Sequence, residues 1–238
     1  MTERDDFGRE FELMTGLPSE TVRLIPRYAL RGAMESIRRV QELTKQSLVR
    51  PGVYYVVLCD LCNSTLALEQ LGHQAGVARI QAFILASVQA LAKTELESVA
   101  FPLKEAGDAM LLMFTSFSDI YRWWSLLGEE LASMAIEYSG AYGLPFSANT
   151  IAGLHVRTVI HLGEIAFTDG VNPVALAVSQ VFKMEKQFDA GELGCTEVVK
   201  DVASPVMKDL GLTCELRSEK RQPADQQLQT FVIKPVVS

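Results

Sequence analysis

Two short segments of this chain carry carboxylates where divalent-metal and phosphate chemistry would need them. From Val56 to Thr65 an apolar run delivers Asp60 to its end, and the polar residues Asn63, Ser64 and Thr65 then favour the start of a helix. From Phe101 to Phe114 two strand-like runs flank Glu105-Ala106-Gly107-Asp108, a turn that presents Asp108. If Asp60 and Asp108 meet, they form a two-carboxylate site for hard divalent cations, the simplest route to phosphate chemistry on this chain. Taken singly, Asp60 reads equally as a helix N-cap and Asp108 as an ordinary turn residue. The pair carries more weight than either residue.

The elements that would position this pair follow from periodicity and breakers. Residues 1–18 are polar and end in Gly16-Leu17-Pro18. A helix then runs from about Ser19 to Leu48, with Val22, Ile25, Leu30, Ala33, Ile37, Val40 and Leu43 at helical spacing. Arg50-Pro51-Gly52 breaks it, so residues 1–50 form an N-terminal segment and helical arm ahead of a domain spanning 51–238. The arm's apolar stripe either packs on its own domain or helps to hold a dimer. Within the domain the expected order is a strand over 53–60, a helix interrupted at Gly72 and Gly76 and resumed over 77–93, and a hairpin over 98–114. A helix over 116–138 comes next, and Gly140 to Asn149 reads as a loop. A strand from Leu154 to His161 continues after a bend through Phe167, followed by a helix over 174–188, a short strand or strand–helix junction over 193–198 and closing strands over 212–217 and 229–236. Trp123 and Trp124 are adjacent, so only one of them can face the core. This is the order of an α+β, ferredoxin-like core: an antiparallel sheet with helices packed on one face.

Composition narrows the partners. The chain has 238 residues, nearly half apolar, with 22 basic against 29 acidic side chains. No dense Lys/Arg stripe is present, which argues against nucleic acid as a bulk partner but leaves room for a nucleotide. No uninterrupted apolar run approaches membrane-spanning length, and Met1 to Asp6 lacks the apolar block of a signal peptide. The expected location is cytoplasmic, where Cys59, Cys62, Cys195 and Cys214 would stay reduced. Cys59-x-x-Cys62 has no second pair to complete a zinc site, so both read as small buried fillers. His73, His155 and His161 make no metal triad, and no Ser/His/Asp arrangement is visible.

Four motifs in order resemble one family. Asp60-Leu61-Cys62-Asn63-Ser64-Thr65 resembles the D-I-x-G-F-T segment of class III nucleotide cyclases, and Lys104-Glu105-Ala106-Gly107-Asp108 their K-x-x-G-D hairpin. The run from Arg157 to Glu164 looks like their R-x-G-I-H-x-G strand, and Lys183-Met184-Glu185 falls where they carry R-L-E on a helix. The likeness covers roughly 53–236. Each motif is weak alone, and the ordered set is specific.

The resemblance implies attack of a ribose 3′-oxygen on the α-phosphate of the same nucleoside triphosphate, with pyrophosphate leaving. Two Mg²⁺ or Mn²⁺ ions would be held by Asp60, Asp108 and the backbone at Leu61. Backbone N–H groups around Leu61, Cys62, Asn63, Ser64 and Thr65 would receive phosphate oxygens. Lys104 stands where the family reads the base, and Asn172 where adenylate cyclases carry a second base-reader. Alternation along the first strand puts Tyr54 on the face of Asp60, so it could shorten the base pocket. Lysine only donates, which disfavours guanine, while an amide can pair with uracil or cytosine. Ser179 and Lys183 replace the family's ribose-orienting Asn and charge-stabilising Arg; lysine keeps the cation but not the planar fork. Arg157 and His161 read as strand and packing residues.

In the family the site lies between two protomers, so a homodimer is implied. A short chain with a helical arm and pyrimidine-type base positions most resembles the Pycsar antiphage cyclases, which make cyclic UMP or cyclic CMP for a separate effector. UTP is the favoured substrate on this reading. A cytidylate or adenylate cyclase of the same fold stays open, as does a degenerate domain that binds nucleotide without turnover.

Overall fold

The structure, a computed structural model, describes residues 51–94, 100–106, 108–144, 153–167, 173–217 and 229–236. The expected N-terminal arm, residues 1–50, therefore lies outside the described residues.

Strand β1 (Gly52–Leu61) starts after Pro51 and is buried almost throughout, with Val56, Val57, Leu58 and Cys59 all fully shielded. Burial of both odd and even positions marks a central strand. Helices α1 (Ser64–Leu71) and α2 (His73–Lys93) follow, separated at Gly72, whose φ of 83° only glycine adopts readily. The hairpin is β2 (Ala100–Ala106) and β3 (Ala109–Phe114). Helix α3 (Phe117–Tyr142) leads to β4 (Val156–Phe167), the two-residue β5 (Pro173–Val174) and α4 (Leu176–Met184), which tightens into a 3₁₀ turn over Glu185–Gln187. Then come β6 (Leu193–Thr196), α5 (Glu197–Asp209), β7 (Leu212–Leu216) and β8 (Thr230–Pro235).

The strand order is β2-β3-β1-β4-β6-β8-β7, with β5 paired to β4. The expected antiparallel sheet holds at every pairing except β4 with β6, which is parallel, so the sheet is mixed. Asp60 stands opposite Ala109 on β3 and opposite Arg157 on β4. That register sets the site.

The chain divides into two compact units. One contains the sheet, the start of α3, α4 and α5. On the even face of β1, Val56 and Leu58 pack with Leu111, Met113, Val181 and Met184, and Tyr54 lies against the same cluster. Gly163 continues β4 without a break; a Cβ there would come within 2.9 Å of the Ala177 Cβ, so the glycine lets α4 approach the sheet rather than bending the strand as expected. The second unit contains α1, α2 and the rest of α3. Here Gly76 lies inside α2, not at an interruption, because a Cβ at that position would come within 2.8 Å of the Leu68 backbone. Trp123 is fully buried and its indole N–H donates to the Ser87 carbonyl at 3.2 Å, while Trp124 is only partly buried. Gly140 is helical, so α3 continues past the expected loop start.

Helix α2 is long and apolar enough to cross a membrane, with a mean hydropathy of 1.4, but 78% of that stretch is buried inside the protein. Its apolar surface is spent on packing. Helix α5 was not expected beyond a strand–helix junction. Pro205 lies within it, and a stripe of Val199, Ala203 and Met207 faces inward at helical spacing.

Candidate active site

The site is built where β1, β3 and β4 end together. Asp60 is 7% exposed at the end of the buried strand, where an uncompensated carboxylate would be expensive. Leu61 N–H donates to the Asp108 carbonyl at 2.9 Å, which ties the hairpin turn to the residue after Asp60. The two carboxylates are close enough for the Asp108 charge to oppose ionisation of Asp60. Sequence motifs 48 positions apart thus converge on one strand end.

The cross-strand partner of Asp60 supplies a cation. Arg157 donates Nε–H and Nη2–H to Asp60 Oδ2 at 2.9 and 2.7 Å. Glu185, in the turn after α4, lies 3.6 Å from Arg157 Nη2 and in its protonated form donates to Asp60. Burial pushes the Asp60 carboxyl above its usual range, and Arg157 works against that shift. Burial, then the neighbouring Asp60 charge, pushes Glu185 up to about 7. Two acids and one guanidinium share a buried corner that favours keeping a proton between the acids. Reading Arg157 as a packing feature is corrected by this geometry: it is the group that holds Asp60. Glu185 was noted in sequence only as the end of Lys183-Met184-Glu185. The available signal was position, since Arg157 opens the motif strand that must pair with the one ending in Asp60.

Other site candidates fare differently. The N–H groups of Leu61 and Cys62 are engaged, the latter donating to the His155 carbonyl at 2.8 Å, so neither is open to receive a phosphate in this state. Asn63 adopts the left-handed conformation, φ 62°, and accepts from Ala67 N–H through its carbonyl; it makes no side-chain cap. Ser64 is buried and begins α1, with Thr65 exposed beside it. Ser179 and Lys183 are exposed on α4, one turn apart. Tyr54 precedes Asp60 by six positions on β1, which separates them by roughly 20 Å along an extended strand. Lys104 lies on β2 opposite Leu111, and Asn172 is outside the described residues.

Cys59 and Cys62 are buried and in no disulfide, as expected of fillers. Thr158 Oγ1 donates to Cys59 Sγ at 3.4 Å, and burial pushes that thiol up to about 12. His161 is likewise structural, with Nδ1 3.0 Å from Thr196 Oγ1. Among the described residues no group of three or more His, Cys, Asp or Glu side chains gathers to hold a metal. An ion at Asp60 and Asp108 would therefore depend on two carboxylates, backbone oxygen and a ligand. All are hard donors of the kind Mg²⁺ and Mn²⁺ accept, so the residues fit such ions.

Comparison of the whole chain with solved structures decides the fold. The guanylyl cyclase Cya2 superposes with a TM-score of 0.56 at 14% identity, covering 79% of this chain and 94% of that one. The adenylyl cyclase CyaB from P. aeruginosa gives 0.57 at 13% identity, covering 78% and 96%. The catalytic core of a rhodopsin-guanylyl cyclase with converted specificity, in complex with ATPαS, gives 0.57 at 14%, covering 78% and 99%. The chain has the class III nucleotide cyclase fold. No family model and no curated protein matches the sequence. In this fold the segment ending in Asp60 and the hairpin carrying Asp108 meet by β1–β3 pairing, and the helix bearing Ser179 and Lys183 packs on the sheet through Ala177 and Val181.

Proposed function

We propose that the protein is a nucleotide cyclase that closes a nucleoside triphosphate to its 3′,5′-cyclic monophosphate and pyrophosphate. The observation that carries the reading is the meeting of Asp60 and Asp108 at one strand end within a cyclase fold. Nucleophile and electrophile share one substrate, so the protein's task is to fold that substrate and offset the charge that develops. Asp60, Asp108 and the Leu61 backbone would hold two Mg²⁺ or Mn²⁺ ions, which when bound supply charge to the 3′-oxygen and the leaving phosphates. Arg157 is the chain's own cation at that end, and its guanidinium suits a phosphate as well as it suits Asp60. Ser179 would orient the ribose and Lys183 would stabilise charge on the transferring phosphate.

A homodimer with two shared sites follows on this reading. Tyr54 and Asp60 occupy opposite ends of one strand, too far apart to close on the same ribose and base. The exposed face of α4 carries Ser179 and Lys183 between Leu176, 72% exposed, and Phe182, 41% exposed, an apolar rim suited to a second copy. Each chain would give carboxylates to one site and helpers to the other.

Two bases compete. Adenine is favoured by the fold's occurrence in an adenylyl cyclase and in a core solved with ATPαS, and by a lysine at position 104. Uracil is favoured by Asn172, an amide that can pair with an imide edge, and by Tyr54, whose ring lies on the face of Val56 and Leu58. On the uracil reading the product is a cytoplasmic second messenger for a separate effector in antiphage defence. Incubation of the protein with each of the four triphosphates and Mn²⁺, with products identified by mass, tests both. Cyclic AMP supports the adenine reading and cyclic UMP the uracil reading. No cyclic product from any triphosphate overturns the enzyme in favour of a binding domain.

A further inference from the structure

Away from the carboxylate end, Cys214 makes two sulfur contacts where α5 packs over β6, β7 and β8, one to Cys195 and one to Met207. Cys195 on β6 and Cys214 on β7 flank β8 and point to the same face. Their Sγ atoms are 4.0 Å apart, and Cys214 Sγ is 3.4 Å from Met207 Sδ on α5. Cys195 is fully buried, Met207 is 3% exposed, and Cys214 is partly exposed. Lys200, one α5 face with Met207, holds its ammonium 4.4 Å above the Phe231 ring, between the two cysteine strands.

The obvious reading, a disulfide, fails on backbone geometry. Two strands separated by a third place their Cα atoms roughly 9–10 Å apart, beyond the ~7 Å that a disulfide can span. The sulfurs lean together across β8 without being able to bond. Three sulfurs arranged trigonally about 2.3 Å from a shared ion stand about 4.0 Å from one another, which is the Cys195–Cys214 spacing, while the Cys214–Met207 contact is shorter at 3.4 Å.

We propose that Cys195, Cys214 and Met207 form a binding site for a single soft monovalent cation, Cu⁺. Two thiolates and a thioether are the donor set that selects Cu⁺ over harder ions, and zinc would lack a fourth ligand. Binding releases the two thiol protons, so Cu⁺ with two thiolates and a neutral thioether leaves one net negative charge. The Lys200 ammonium, whose charge acts on both sulfurs, balances it. Cys214 provides the route of entry from solvent. Bound ion would staple α5 to β6 and β7, stiffening the edge of the sheet opposite the hairpin.

The test is anaerobic titration of the reduced full chain with Cu⁺ against a chromogenic Cu⁺ chelator. One equivalent is expected to bind, with thiolate-to-copper absorbance and release of two protons. Binding should persist in Cys59→Ser/Cys62→Ser, vanish in Cys195→Ser and in Cys214→Ser, and weaken in Met207→Leu, a near-isosteric change that keeps the helix packed. Retained binding in Cys214→Ser, unchanged affinity in Met207→Leu, or loss in Cys59→Ser/Cys62→Ser would each overturn the assignment.

Discussion

The acid end of β1 and the outer face of α4, which would carry the two halves of the proposed chemistry, are built in opposite ways. Asp60 is buried, held by two N–H groups of Arg157 and approached by Glu185, so its position is over-determined before any ligand arrives. Ser179 and Lys183 stand in solvent on a helix whose inner face alone is packed. Preorganisation is thus spent on the group proposed to hold cations, and the proposed helpers are left to be ordered by whatever covers them. A site finished by a second copy would look like this in one chain.

That contrast can be broken at its strongest point first. Asp60→Ala or Asp108→Ala should lower metal-dependent cyclic nucleotide formation by at least about 10²–10³-fold, measured by product mass, while circular dichroism remains that of a folded protein. Unchanged turnover in either variant would remove the carboxylate pair from the mechanism. Next, mixing Asp60→Ala with Lys183→Ala protein should restore about a quarter of the wild-type rate, since half of randomly mixed twofold dimers hold one intact site of two. Heterodimers that form yet stay inactive would place both halves in one chain. A smaller effect is expected from Lys183→Arg, which supplies the planar fork and should raise turnover several-fold without moving KM.

The smallest effect is on stability against pH. Glu185 is pushed up to about 7 by burial and by Asp60, so the folded state holds a proton that the unfolded chain releases near 4.5. Stability therefore falls as pH rises between those two values. Thermal melts without divalent cations should show a lower Tm at pH 8 than at pH 5.5. Glu185→Gln should flatten that slope, and a slope unchanged by the substitution would show that Glu185 is not the group titrating.

The convergence of the segments carrying Asp60 and Asp108 was legible in sequence because an apolar strand and a Gly-Asp turn each announce what stands at their ends. Arg157 was not, because its role depends on the β1–β4 register, which places residue 157 opposite 60 and which no local pattern encodes. The phosphate cradle read from Leu61 and Cys62 loses two donors for the same reason, since their N–H groups complete pairings with Asp108 and His155. Glycines misled in a consistent way. Gly76, Gly140 and Gly163 signalled breaks, yet all three lie within regular elements, two of them where a neighbouring helix comes too close for a side chain. The expected strand–helix junction over 193–198 stops short of α5, although the helix's stripe of inward residues, Val199, Ala203 and Met207, is present at helical spacing.

The most direct measurement is anomalous X-ray scattering from crystals grown with Mn²⁺ and a triphosphate analogue that cannot cyclise. Manganese peaks are expected against both the Asp60 and Asp108 carboxylates, with Arg157 turned from Asp60 toward phosphate. Manganese bound away from those side chains, or nucleotide bound with Arg157 still closed on Asp60, would contradict it.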